Sequence, residues 1–211
     1  MRKVSLKDLP ASTLAQYQTK QVGNDCALHA IASAIDLLAG KKFCPDYLIK
    51  EMDALWWKGR FYRVLPGWAV TPRMQARIVR YLSKRFHLGL DARYLHTSPE
   101  ILRNLPFDPD VAALITLYWP ARQVPPIYKG ETLLNFNGTQ KMGGHTMLFA
   151  MFDPSHQSGG KLSTPWGFIN SWSDGGEDLY WMEDQSFRRS WAAPIPLIGN
   201  HATVLISRQA Q

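Results

Sequence analysis

The chain has 211 residues, is 45% hydrophobic and carries 24 lysines and arginines against 17 acidic residues, a formal charge of +7. That length and apolar content suffice for a buried core, so a single domain over residues 1–211 is expected and a disordered or low-complexity chain is excluded. No run approaches the ~20 apolar residues of a membrane span, and the start MRKVSLKDLP lacks the apolar centre of a signal peptide, which points to a soluble cytoplasmic protein without a membrane partner. Export as an effector is also compatible with this sequence.

The positive charge suits an anionic surface or polymer as a partner. Its densest set, Arg73, Arg77, Arg80, Lys84 and Arg85, falls on one predicted helix, where a solvated face accounts for it. No nucleic-acid-binding motif accompanies these residues, so no specific nucleic-acid partner is expected.

In chain order, the first predicted helix runs from Asn24, a candidate N-cap, to Ala39, with Gly40 as its stop. Leu28, Ile31, Ile35 and Leu38 form its core stripe, and Cys26, His29, Ser33 and Asp36 share the opposite stripe. Pro45 opens a second helix to about Trp57, followed by an aromatic loop, GRFYRVLPGW, for which core packing is the first explanation. Thr71-Pro72 starts a third helix, because Met74, Ile78, Leu82 and Phe86 step by four. A helical lobe over about 24–88 is thus expected before a sheet lobe over about 89–211.

In the second half, LDARYL reads as a short strand, SPEILRNL as a short helix capped by Ser98, and 111–119 as a buried strand. Residues 120–144 hold three prolines and four glycines and read as a long surface loop. HTMLFAMF (145–152) suits a central strand, and a further strand runs through WGFINSW (166–172) with Asn170 inside it. Asp174-Gly175-Gly176 signals a hairpin, EDQSFRRSW a short helix, and TVLIS a last strand. Helices first and antiparallel strands second make an α+β arrangement.

Cys26 is the residue that needs explaining. A helix over 26–39 separates its ends by roughly 20 Å, so a bridge to Cys44 just beyond would need a nearly straight return to come within disulfide range. Neither cysteine belongs to a C-x-x-C pair and the six histidines are scattered singly, so no metal and no cofactor are expected. Core packing and nucleophilic chemistry remain. In the first turn of a helix the unpaired N–H groups and the positive dipole end favour a thiolate.

A thiolate nucleophile also needs a base, an orienter for the base and donors for an oxyanion. His145 follows Gly143-Gly144 at the mouth of a buried strand, where small neighbours leave room for a substrate. Asn170 is an amide among Trp166, Phe168 and Trp172 and requires a partner, such as a histidine ring on the neighbouring strand. Gln21, upstream of Cys26, offers side-chain N–H groups toward an oxyanion.

Cysteine at the start of a long helix with glutamine upstream, Gly-Gly-His opening a strand and Asn-Ser-Trp on the next resembles the papain-like cysteine peptidases, which share the order Cys, His, Asn. The resemblance implies Cys26 as nucleophile, His145 as general base and acid, Asn170 as orienter, Gln21 as oxyanion donor, Trp172 as shield of the His–Asn bond and Gly144 as a supporting residue. Its implied activity is hydrolysis of a protein or peptide substrate. Asp-Cys before a small residue, and the order of elements through the middle, resemble the bacteriocin-leader peptidases, which share that fold but usually have Asp where this chain has Asn170. Gln21 stands one residue closer to Cys26 than in the family, which leaves Gln18 as a second candidate donor. Ala27 and His29 replace the family's Trp-Ala-Phe, and His29 is a rival base one turn along the helix. Only 25 residues precede Cys26, so no pro-segment is expected. A peptidoglycan amidase, a transpeptidase and a non-catalytic binding module are alternatives on the same fold.

Overall fold

The structure is a computed structural model that describes residues 6–134, 142–172, 178–195 and 198–209. A short helix α1 (Ala11–Ala15) leads to α2 (Cys26–Ala39), which is stopped by Gly40 in the left-handed conformation, φ 64°. The N-cap of α2 is Asp25 rather than Asn24, and its side chain caps no helix N–H. Leu28, Ile31 and Ile35 are fully buried, but so are His29 and Ser33 of the polar stripe. Burial of those two is tolerated because each finds a partner: His29 Nδ1 bonds Thr19 Oγ1 at 2.7 Å and Ser33 Oγ donates to the Tyr17 carbonyl at 2.6 Å.

Helices α3 (Pro45–Trp57) and α4 (Pro72–Phe86) both begin with proline, whose missing N–H costs nothing in a first turn. Thr71 Oγ1 accepts the Met74 N–H and caps α4. The basic residues of α4 are exposed, as a solvated face requires. In the aromatic segment between α3 and α4, Phe61 and Trp68 are exposed, as is Trp57 at the end of α3, and only Tyr62 is buried, so core packing explains little of it.

The second half builds β1 (Leu90–His96), α5 (Pro99–Asn104, capped by Ser98) and β2 (Val111–Trp119). Residues 120–144 are not all loop. They contain β3 (Tyr128–Lys129) and β4 (Thr132–Leu133), and the next strand, β5 (Gly143–Phe152), starts at their end. A small hairpin β6 (Gln157–Ser158) and β7 (Leu162–Ser163) follows, then β8 (Trp166–Ile169), β9 (Tyr180–Met182), α6 (Asp184–Ala192) and β10 (Ala202–Arg208). Asn170 therefore lies just past the end of β8 and not within a strand. The Asp174-Gly175-Gly176 hairpin signal lies outside the described residues.

The main sheet has the order β1-β10-β2-β5-β8-β9-β3-β4, with every pair antiparallel. Alternation along β2 and β5 sends Leu114, Leu148 and Ala150 toward α2–α4, and Ile115, Leu117, Met147 and Phe149 toward Phe187 and Trp191 of α6. Both faces are covered, which is why β5 is apolar on both sides. β8 pairs with β5 only from Leu148 to Phe152, whereas β2 runs along β5 from Gly143 to Phe149. The first half of β5 is thus open on its β8 side. The N-terminus of α2 fills that opening, and the Thr146 N–H donates to Cys26 Sγ at 3.5 Å.

Candidate active site

Cys26 is the first residue of α2 and is half-buried in the wall of a cleft of about 560 Å³. Trp68, Val70, Trp119, Met142, Ile195 and Ile198 give the cleft apolar walls, while Gln21, Asn24, His145 and Trp172 supply polar edges near the sulfur. Cys26 and Cys44 are both free thiols, and Cys44 is exposed.

His145 projects from the open half of β5 and is 3% exposed. Its Nε2 bonds Asn170 Oδ1 at 2.6 Å, and the same oxygen accepts the Ser171 N–H at 2.7 Å. A carbonyl oxygen only accepts, so Nε2 carries the ring proton and Nδ1 is the free base. Trp172 stacks on the imidazole at 4.1 Å between ring centroids and 27° between planes, screening the His–Asn bond from water. Ending β8 at Ile169 is what frees Asn170 and Trp172 to turn onto the ring.

Burial pushes the His145 imidazole down to about 4, partly offset by the bond to Asn170. Burial also pushes the Cys26 thiol up, and the Asp25 charge adds to the rise, while the N–H groups of Thr146, Ala27 and Cys26 oppose it. The helix N-terminus therefore acts in the direction the sequence implies, but desolvation outweighs it. Both groups are favoured as neutral, and charge separation between them depends on their mutual attraction and on those N–H donors.

Gln21 reaches the cleft, but its Nε2 donates to the Gly23 carbonyl at 2.9 Å and its Oε1 accepts from Ser171 Oγ. Gln18 is buried away from the cleft and donates to the Asp178 carbonyl at 3.0 Å. His29 is also outside the cleft, held by Thr19. Gly144 lines the cleft. Gly143 does not leave room for a substrate: the Trp119 ring fills the space, 2.8 Å from where a Cβ would stand.

Three buried polar residues beneath the site, Gln75, Thr146 and Arg63, went unrecognised in the sequence. Gln75 of α4 donates to Thr146 Oγ1 at 3.0 Å and to the Val70 carbonyl at 3.2 Å, and Thr116 Oγ1 lies 3.1 Å from Thr146 Oγ1. A glutamine beside Ala76, Ile78 and Val79 on the apolar side of α4 was the available signal. Arg63, fully buried in an irregular segment, left no such sign.

No family model and no curated protein matches the chain. Among solved structures it is similar over its whole length to a candidate C39-like peptidase from Bacillus anthracis, with 12% identity, a TM-score of 0.55 and all of that chain covered. It is also similar to xylellain, a cysteine protease from Xylella fastidiosa, with 12% identity, a TM-score of 0.49, 96% of this chain and 91% of that one covered. No helix of the described residues is long and apolar enough to cross a membrane. With a cysteine-headed helix set into an antiparallel sheet, and with the likeness to the C39-like peptidase, the chain has the papain-like cysteine peptidase fold.

Proposed function

We propose that the protein is a cysteine peptidase in which Cys26, His145 and Asn170 form the catalytic set. The observation that carries this reading is the imidazole held through Nε2 by Asn170 beneath Trp172, in the same cleft as the helix-start cysteine. His145 Nδ1 takes the thiol proton as Sγ attacks the substrate carbonyl carbon. The Cys26 N–H at the helix start, with the Gln21 amide after it leaves the Gly23 carbonyl, stabilises the oxyanion. His145 then protonates the departing amine, and water, deprotonated by the same ring, releases the acid from the acyl-enzyme. Asn170 keeps the Nε2 proton in place throughout, so Nδ1 is the atom that takes and returns the proton.

Competitive alkylation tests the nucleophile without knowledge of the substrate. Exposure alone favours Cys44, so iodoacetamide labelling of half-buried Cys26 at a higher rate is the expected result, and faster labelling of Cys44 overturns the assignment. On a peptide library Cys26→Ala should lose at least ~10³-fold in turnover while folding normally.

The exposure of Trp57, Phe61 and Trp68 favours a second substrate class, a glycan-linked peptide polymer reached by an aromatic surface. Release of soluble fragments from purified sacculi by the wild-type protein, absent in Cys26→Ala, selects that class. Cleavage of unlinked peptides alone removes it.

A further inference from the structure

Arg63 has no exposed surface, although the segment around it turns Phe61, Val64, Leu65 and Trp68 outward. A guanidinium removed from water needs compensating partners, and three converge on it. Nη2 donates to Asp25 Oδ1 at 2.8 Å, Nη1 lies 3.3 Å from Asp53 Oδ1, and the Trp68 carbonyl accepts from Nε at 3.1 Å and Nη2 at 2.7 Å. Asp25 immediately precedes Cys26, Asp53 belongs to α3, and the segment from Trp68 to Pro72 lines the cleft. One buried cation joins the residue beside the thiol, the neighbouring helix and a wall of the cleft.

Asp25 occupies an N-cap position, where a carboxylate ordinarily accepts first-turn N–H groups, yet it caps none of them. Its carboxylate is committed to Arg63 instead. An unneutralised carboxylate at this position would oppose negative charge developing on the adjacent sulfur.

We propose that Arg63 is a positioning residue for the nucleophile, offsetting part of the Asp25 charge next to Cys26 and fixing the Trp68–Pro72 wall of the cleft. This rests on Cys26 being the nucleophile. The charged and titratable groups around the sulfur are Asp25 on its own helix, His145 from β5, His29 one turn along α2, and Asp53 of α3 on the far side of Arg63. Asp25 already raises the Cys26 thiol, and loss of Arg63 removes the cation that limits this effect. Asp25 also acts on His29, in the raising direction, so loss of Arg63 reaches that imidazole as well.

The test is the pH profile of Cys26 alkylation by iodoacetamide in the full chain carrying Cys44→Ser. Arg63→Met should move the thiolate midpoint up by about one unit, seen as a roughly tenfold slower reaction at a fixed pH below it. Arg63→Lys keeps the charge and should restore most of the wild-type profile. In Asp25→Asn/Arg63→Met the carboxylate beside the sulfur is gone and only Asp53, on α3, loses its cation, so the midpoint should return to the wild-type value or below. A merely structural role would leave the double variant as shifted as the single. That result, or an unshifted Arg63→Met profile, overturns the proposal. Should Arg63→Met not fold, Asp25→Asn decides: a midpoint below wild type supports the charge assignment, and an unchanged one overturns it. If Cys26 outpaces Cys44 but the Arg63 variants behave as wild type, only this proposal falls; if Cys26 shows no advantage at all, the proposed function falls with it.

Discussion

At the scale of single residues, the site turns on what surrounds one imidazole. Asn170 Oδ1 accepts two hydrogen bonds, from His145 Nε2 and the Ser171 N–H, while its Nδ2 is buried without a partner among the described residues. A neutral amide orients the ring without adding charge. Asn170→Asp should place a carboxylate against Nε2–H and favour the imidazolium, so the Cys26 alkylation midpoint should fall by about one unit or more. Asn170→Ala should raise it instead, since the ring loses its orienting acceptor. Equal profiles for the two variants would show that Asn170 does not act through the ring. Cys26, His145 and Asn170 were legible in the sequence as candidates because each is an odd choice for its place, and Trp172 entered with the papain resemblance. Gln75, Thr146 and Arg63 were not, because a buried polar residue looks like an exposed one until its partners, distant in the chain, are known.

At the scale of elements, the helices starting at Pro45 and Pro72 and the strand 111–119 have the bounds their sequence signals imply. Local chemistry decides those ends: proline at the first turn, a threonine cap, a proline just past Trp119. The two short strands inside 120–144 had no local signal, since pairing of β3 with β9 creates them. Trp166, Phe168, Ile169 and Trp172 suit a strand through 166–172, yet β8 stops at Ile169, where its pairing with β5 ends one residue after its pairing with β9. Gly143 makes an element-scale prediction. A Cβ there would stand 2.8 Å from the Trp119 ring, whose other face borders a second groove with Arg189 and Pro194. Gly143→Ala should displace the ring, lower stability in urea by about 1–3 kcal/mol and reshape the Cys26 cleft. Gly144→Ala, whose Cβ would meet the Leu117 carbonyl at 3.3 Å and the Tyr118 ring at 4.0 Å, should cost less. An equal or greater loss for Gly144→Ala would contradict this account of Trp119.

At the scale of the whole molecule, the sheet is covered on both faces, and packing reaches four of the six histidines. His145 is pushed down to about 4 by burial, and burial lowers His29, His156 and His201 in the same direction. Between about pH 4 and 6.5 the unfolded chain binds protons that the folded chain does not, so stability should increase with pH across that window. It should be fully present above it and be lost as pH falls through it. The His145 share is at most on the order of 3 kcal/mol, and His145→Gln should flatten the pH dependence of the urea midpoint. A slope of opposite sign would mean that the histidines gain protons on folding. The sequence by itself determined the helices from α2 onward, the main strands, their α+β order and the residue types suited to thiol chemistry, because propensity, caps and periodicity act over a few neighbours. Only the tertiary structure decided where β8 ends, that Gln21 is turned to Gly23, and that Arg63 stands between Asp25 and Asp53. Those outcomes depend on pairing and burial between segments far apart in the chain, and burial is also what reverses the expected lowering of the Cys26 thiol.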